Sequence, residues 1–185
     1  MPKLRFINKR EYFCIMSKKR SYSSSQSSPG NLSNPRAILI FGDSNTWGFN
    51  PDQSEGSPLR IPFQQRWTTI VQENLGHDFD IIPSGLNART TLFDDPISPS
   101  DGEYNCNGRQ LLPTIIHTYK PLSIIIIALG TNDTKEKFNT SPNDVVSGIT
   151  VLVRDIQKLR EIGESSFNDS NINIAPKKFV VTCLQ

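Results

Sequence analysis

A three-layer α/β/α domain built on a parallel sheet is the fold class this sequence predicts. Short apolar runs of strand length alternate with segments whose apolar residues recur at helical spacing. One of the runs, Leu122–Leu129, is unbroken, as expected of a strand covered on both faces. Polar, glycine-containing turns follow the first three runs at corresponding places.

The elements follow in order. Ala37–Phe41 reads as the first buried strand. A polar loop comes next, broken by Pro51, Gly56, Pro58 and Pro62. Arg66–Leu75 reads as a short helix, with Trp67, Ile70, Val71 and Leu75 on one face and Gly76 as its stop. Phe79–Pro83 is the second strand, and Thr90–Gly108 a long irregular loop. Gln110–Tyr119 is a helix in spite of Pro113, and Leu122–Leu129 the third strand. Ser141-Pro142-Asn143-Asp144 is a helix start, with Ser as the cap, Pro first and an acid in the first turn. That helix is expected to run to about Ile162, where Gly163 stops it. Its stripe is Val145, Val146, Ile149, Leu152, Val153, Ile156 and Leu159. Lys178–Leu184 begins a fourth strand. The expected strand order is 2-1-3-4.

Residues 1–35 read as a separate basic, Ser-rich disordered tail, and residues 36–185 as one domain. The tail carries seven Lys/Arg and one acid, a charge of +6, and the rest 13 basic and 17 acidic residues, a charge of −4. An acidic body argues against nucleic acid as the main partner. No apolar run approaches the roughly 18 residues of a membrane span, so no membrane partner is expected. Lys9-Arg10-Glu11 interrupts any secretory signal core. Cys14, Cys106 and Cys183 are an odd number without close spacing, which suits neither a disulfide framework nor a zinc site. A reducing, cytoplasmic location is the expectation, with an organelle transit peptide as the other reading of the tail.

The chemistry gathers after the strands. Ser44 follows the first, in Phe41-Gly42-Asp43-Ser44-Asn45-Thr46-Trp47-Gly48. Ser84-Gly85-Leu86-Asn87-Ala88-Arg89-Thr90 closes the second, and Gly130-Thr131-Asn132-Asp133 the third. Parallel strands put all three turns at one edge of the sheet, where such folds bind ligands if the first strand lies centrally. Ser44 has the capacity to attack a carbonyl carbon. The oxyanion that results needs donors already aimed at it. Gly85 offers a backbone N–H that a ligand can approach closely, Asn132 a side-chain amide, and Ser44 its own N–H.

These three blocks resemble the first three motifs of the SGNH (GDSL-type) hydrolases over roughly residues 37–183. Gly42–Gly48, Gly85–Thr91 with Asp94-Asp95-Pro96, and Ala128–Lys135 are most similar to the arylesterase/perhydrolase branch. The resemblance implies a flavodoxin-like sheet and hydrolysis of small carboxylic esters through an acyl-enzyme. Ser44 would be the nucleophile, with Ser44, Gly85 and Asn132 as the oxyanion hole. It implies no metal or organic cofactor. The resembling branch includes oligomers, which makes a homo-oligomer an expectation by analogy. The family's fourth motif, Asp-x-x-His, has no counterpart among residues 1–185: Asn74 precedes His77 by three residues and Thr114 precedes His117. Both histidines lie before a strand start, at the pole opposite Ser44. Residues 1–185 therefore read as lacking the fifth strand and the base, with weak or no activity expected of them alone.

Other residues carry two readings each. Trp47 either lines a substrate pocket or packs in the core. Asp43 and Asp133 are expected to brace their loops through backbone N–H groups. Asp94-Asp95 is expected to be solvated. Arg89 is expected to sit in a structural ion pair, with contact to an acidic substrate as the other reading. A non-catalytic fragment or pseudoenzyme of the same fold is the main alternative. A nucleotide-binding module is disfavoured, because the loop after the first strand has neither Gly-x-Gly-x-x-Gly nor Gly-Lys-Ser/Thr.

Overall fold

The computed structural model describes residues 35–95, 104–166 and 178–182, and from residue 160 onward the backbone alone. The basic tail lies outside the described residues, as do Cys14, Cys183 and the middle of the 90–108 loop. Four strands form the sheet: β1 (Arg36–Gly42), β2 (Phe79–Gly85), β3 (Ile124–Ala128) and β4 (Lys178–Thr182). Every pairing is parallel and the order is β2-β1-β3-β4, as the sequence predicts. The helices are α1 (Ser44–Trp47), α2 (Trp67–Leu75), α3 (Gly108–Tyr119) and α4 (Pro142–Ser166).

Strand periodicity divides the core into two layers. Leu39 and Phe41 of β1, with Ile125 and Ile127 of β3, face Leu112 and Ile116 of α3 and Val145, Ile149, Leu152, Val153 and Ile156 of α4. Ile38, Ile40, Ile81 and Ile126 face the other way, onto Val71, Trp67 and Leu75 of α2. Leu39 and Leu152 are wholly shielded from solvent, each worth about 1.5–3 kcal/mol of burial.

The ends of the helices follow local chemistry. At the start of α4, Asp144 N–H donates to Ser141 Oγ (3.3 Å) while Ser141 N–H donates to Asp144 Oδ2 (2.7 Å). This reciprocal pair satisfies donors that the first turn leaves free. Gly76, at φ +70°, ends α2 in a conformation other residues rarely adopt.

Three expectations need correction. Gly163 does not stop α4, which runs on to Ser166; one interior glycine costs only about 1 kcal/mol in a helix. Ile70 and Val146 sit on exposed helix faces although their spacing suggested core. The third strand is the shorter Ile124–Ala128, because Leu122 and Leu129 are buried in the flanking connections. Helix α1 is not foreseen by the sequence: its four residues, between Asp43 and Gly48, carry too little periodicity to read.

Candidate active site at the carboxyl edge of the sheet

The turn after β1 is built on its N-cap. Asp43 Oδ1 accepts from the Asn45 N–H (3.0 Å) and from Asn45 Nδ2 (3.2 Å), and Asp43 O accepts from Thr46 N–H (3.1 Å) and Trp47 N–H (3.0 Å). Asp43 is buried, and burial raises its pKa; the bonds from Asn45 and the charge of Arg89 oppose that rise. Ser44 is the first residue of α1 and half-buried. Its N–H and its hydroxyl have no hydrogen-bond partner among the described residues. In a trans peptide the N–H points opposite to the preceding carbonyl. With Asp43 O turned into the helix, the Ser44 N–H points out of its N-terminus, where a negative charge is favoured.

Two glycines let this turn sit directly on the strands. A Cβ on Gly42 would overlap Thr46, and a Cβ on Gly85 would overlap the backbone of Thr46 and Trp47. Gly85 was expected to be glycine to admit a ligand. The space beside it is filled by α1, so packing alone already demands glycine there. Trp47 is half-buried, with the Arg60 guanidinium over its ring at 4.6 Å and Arg60 Nε donating to its carbonyl at 2.7 Å. Trp67 Nε1 ties the Asn45 carbonyl (3.1 Å) and so secures α1 from the other side.

The turn after β2 runs Leu86–Arg89, closed by Arg89 N–H to Leu86 O (3.2 Å), with Ala88 left-handed at φ +62°. Such a conformation at a non-glycine residue costs of order 1–3 kcal/mol and persists only where the surroundings impose it. The surroundings here do. Thr90 N–H donates to Cys106 O (3.0 Å), Gly108 N–H to Thr90 O (3.1 Å) and Arg109 N–H to Thr91 O (3.0 Å). A Cβ on Gly148 of α4 would overlap Thr91 Oγ1, so α4 closes the segment from above.

The turn after β3 is zipped to the same segment. Asn132 Nδ2 donates to Arg89 O (3.1 Å). Asp133 Oδ1 and Oδ2 accept from Thr91 N–H (3.0 and 3.1 Å), and Oδ1 also accepts from Thr91 Oγ1. Asp133 is fully buried, which raises its pKa against the pull of the Thr91 bonds. Asp43 and Asp133 thus brace their loops through backbone N–H groups, as expected. A primary amide has two N–H bonds, so Asn132 keeps one beyond the bond to Arg89.

Two readings of charge are corrected. Arg89 is buried, yet makes no ion pair within 4.0 Å among the described residues. Its Nη1 donates to Gly42 O (2.9 Å) and Ser84 O (2.5 Å), and its guanidinium lies over the Phe41 ring at 4.1 Å. Burial pushes its pKa down to about 10, with Asp43 and Cys106 pulling the other way. Asp95 is not solvated: it is buried and paired with Lys137 and with Lys135 (3.8 Å). Its neighbour Asp94 accepts from Gln110 Nε2 (3.1 Å) and Asn107 Nδ2 (3.3 Å).

The histidines lie at the other end. His77 is exposed in the 3-10 turn before Phe79, which pairs with Arg36 at the start of β1. The length of β1 then separates it from Ser44, roughly 20 Å at 3.3 Å per residue. His117 is exposed in the last turn of α3, whose first turn is the end that meets Thr90 and Thr91. Among the described residues no group of three His, Cys, Asp or Glu is placed to hold a metal ion, and no helix is long and apolar enough to cross a membrane.

Residues 38–184 match the family model described as GDSL-like Lipase/Acylhydrolase. Among solved structures, the chain is similar to an aryl esterase from M. smegmatis in its inhibitor-bound form, at 38% identity and a TM-score of 0.64. The match covers 80% of this chain and 63% of that one. It is equally similar to Est24, a carbohydrate acetylesterase from Sinorhizobium meliloti: 38% identity, TM-score 0.64, 79% of this chain and 62% of that one. No curated protein sequence gives a significant match. The chain thus spans about three-fifths of the length of the solved structures it matches.

Proposed function

The chain belongs to the GDSL-like lipase/acylhydrolase family, and we propose that it carries the nucleophile and oxyanion hole of a serine esterase acting on small carboxylic esters. The observation that carries this reading is the state of the donors around Ser44. Its N–H leaves the start of α1 unspent, and Asn132, at the same sheet edge, keeps one amide N–H.

In this reading Ser44 Oγ bonds to the ester carbonyl carbon and gives up its proton to a base. The carbonyl oxygen takes the negative charge and is held by Ser44 N–H, Gly85 N–H and Asn132 Nδ2–H. One such donor is worth about 2.7–4 kcal/mol in the transition state. Collapse expels the alcohol, which takes the proton, and leaves an acyl-Ser44; water then repeats the sequence and releases the acid. Trp47, the last residue of α1, borders the substrate. The reaction asks for no metal or organic cofactor, and its partner is the small ester itself.

The base is not His77 or His117, which are too far from Ser44 for direct contact. Neither histidine of residues 1–185 therefore serves as the base by direct contact. Residues 1–185 alone are expected to be weak catalysts, since losing the base of a serine triad costs up to about 10⁶ in rate. The likeness to an aryl esterase and a carbohydrate acetylesterase supports acetyl-sized acyl groups as the first substrates to try. The test is p-nitrophenyl acetate hydrolysis by the full-length protein. Ser44→Ala should abolish it; an unchanged rate would sink the assignment.

A further inference from the structure

Arg89 has no place in the reaction so far, and its environment is unusual. A guanidinium taken out of water costs several kcal/mol, and such groups are normally paired with a carboxylate. Arg89 is 4% exposed and has none within 4.0 Å among the described residues; its Nε has no partner. The chain also holds Ala88 left-handed to bring Arg89 back beneath the strand ends. Something at this position must offset both costs.

What Arg89 touches is specific. Nη1 donates to Ser84 O, the carbonyl of the peptide unit whose N–H belongs to Gly85. It donates as well to Gly42 O, which also receives Leu86 N–H (3.1 Å). In a trans peptide the two groups are opposed, so fixing Ser84 O fixes the direction of Gly85 N–H. The main-chain carbonyl of Arg89 meanwhile accepts from Asn132 Nδ2, which sets the plane of that amide and leaves its second N–H aimed elsewhere. Its aliphatic and guanidinium body is clamped over Phe41, so the group has little freedom to swing.

We propose that Arg89 is the positioning residue of the oxyanion hole: its side chain orients the Gly85 donor and its backbone carbonyl orients the Asn132 donor, coupling the two through one residue. This rests on the esterase reading above. It adds that the geometry of two donors depends on a residue that never meets the substrate. Arginine is required because a lysine is one bond shorter and lacks the planar fork.

Three variants of the full-length protein test it, each rate taken per active site as titrated by the p-nitrophenol burst, so that unfolded molecules do not count. Arg89→Met should lower kcat about a hundredfold, the size of one lost oxyanion donor, with KM within about twofold. Arg89→Lys should fall between, about tenfold below wild type, because a misplacement of about 1 Å is enough to cost up to 10². Lysine also decides the matter should the methionine variant not fold. Backbone and side-chain amide NMR gives a readout independent of activity. The Gly85 N–H and both Asn132 Nδ2 resonances should shift in either variant, while the Gln72 side-chain resonances at the far end of the sheet stay in place. An unchanged kcat per titrated site, or unmoved Gly85 and Asn132 resonances, overturns the proposal. Ser44→Ala separates the two levels: if it keeps full activity the esterase reading fails, while the NMR result still judges the positioning claim.

Discussion

The two ends of the same parallel strands are built on opposite plans. At the carboxyl end, Asp43, Arg89, Asn132 and Asp133 are all buried, and each bonds backbone atoms of the turns there, while Arg89 Nε and one Asn132 N–H stay unspent. At the amino end, His77, Asp78 and Asp80 are exposed, and one side chain does most of the joining. Gln72 donates to Gly76 O (3.1 Å) and Phe79 O (2.9 Å) and accepts from Ile81 N–H (2.8 Å), stitching α2 to β2. The amino end needs only to hold the sheet together. The carboxyl end buries charge at a cost in stability, which is the pattern of a site whose geometry matters more than its contribution to folding.

The contrast breaks most visibly in a pair of variants. Asn132→Ala at the carboxyl end should lower kcat by about 10²–10³ through loss of one donor, and by removing the buried bond to Arg89 O should also cost about 1–3 kcal/mol of stability. Steady-state kinetics beside a denaturant titration measures both. Gln72→Ala at the amino end should lower stability and spare the rate. It leaves the Ile81 N–H without its acceptor and should cost about 1–3 kcal/mol of stability, with kcat per active site unchanged. A rate loss in the second variant would mean that the two ends are not independent.

The smallest expected effect concerns pH. Burial raises the folded-state pKa of Asp133 above its ordinary 3.8. Between 3.8 and that raised value the folded chain binds more protons than the unfolded one, so this group's contribution to stability falls as pH rises through the window. Asp144, exposed at the start of α4, has the opposite sign. Its bonds from Ser141 lower its pKa, and it contributes above 3.8 what is lost as pH falls. The stability of Asp133→Asn should therefore decline less steeply than wild type as pH rises from 3.8 through the raised pKa, read as the slope of unfolding free energy against pH. An unchanged slope would remove Asp133 from the account.

The sequence made the scaffold legible because strand and helix periodicities are local. The apolar runs around Leu39 and Ile126 and the Ser141 cap each carry their own signal. Ser44, Gly85 and Asn132 can be singled out as candidates in the sequence because each stands at the end of a strand. What was not legible depends on partners distant along the chain. Arg89 looks like a loop cation until Gly42, 47 positions earlier, supplies its carbonyl. Asp95 looks solvated until Lys137 arrives from 42 positions away. Gly85 shows the limit from the other side: the residue was singled out for ligand access, and its closest neighbour is the backbone of α1.

The central claim, that Ser44 is a nucleophile set among prearranged donors, is tested most directly by covalent capture. The full-length protein is treated with a fluorophosphonate and digested, and the adduct is located by peptide mass spectrometry. A single adduct on Ser44, lost in Ser44→Ala and formed about 10²-fold more slowly in Asn132→Ala, is the predicted result. An adduct on another residue, or equal labelling of Ser44→Ala, would contradict it.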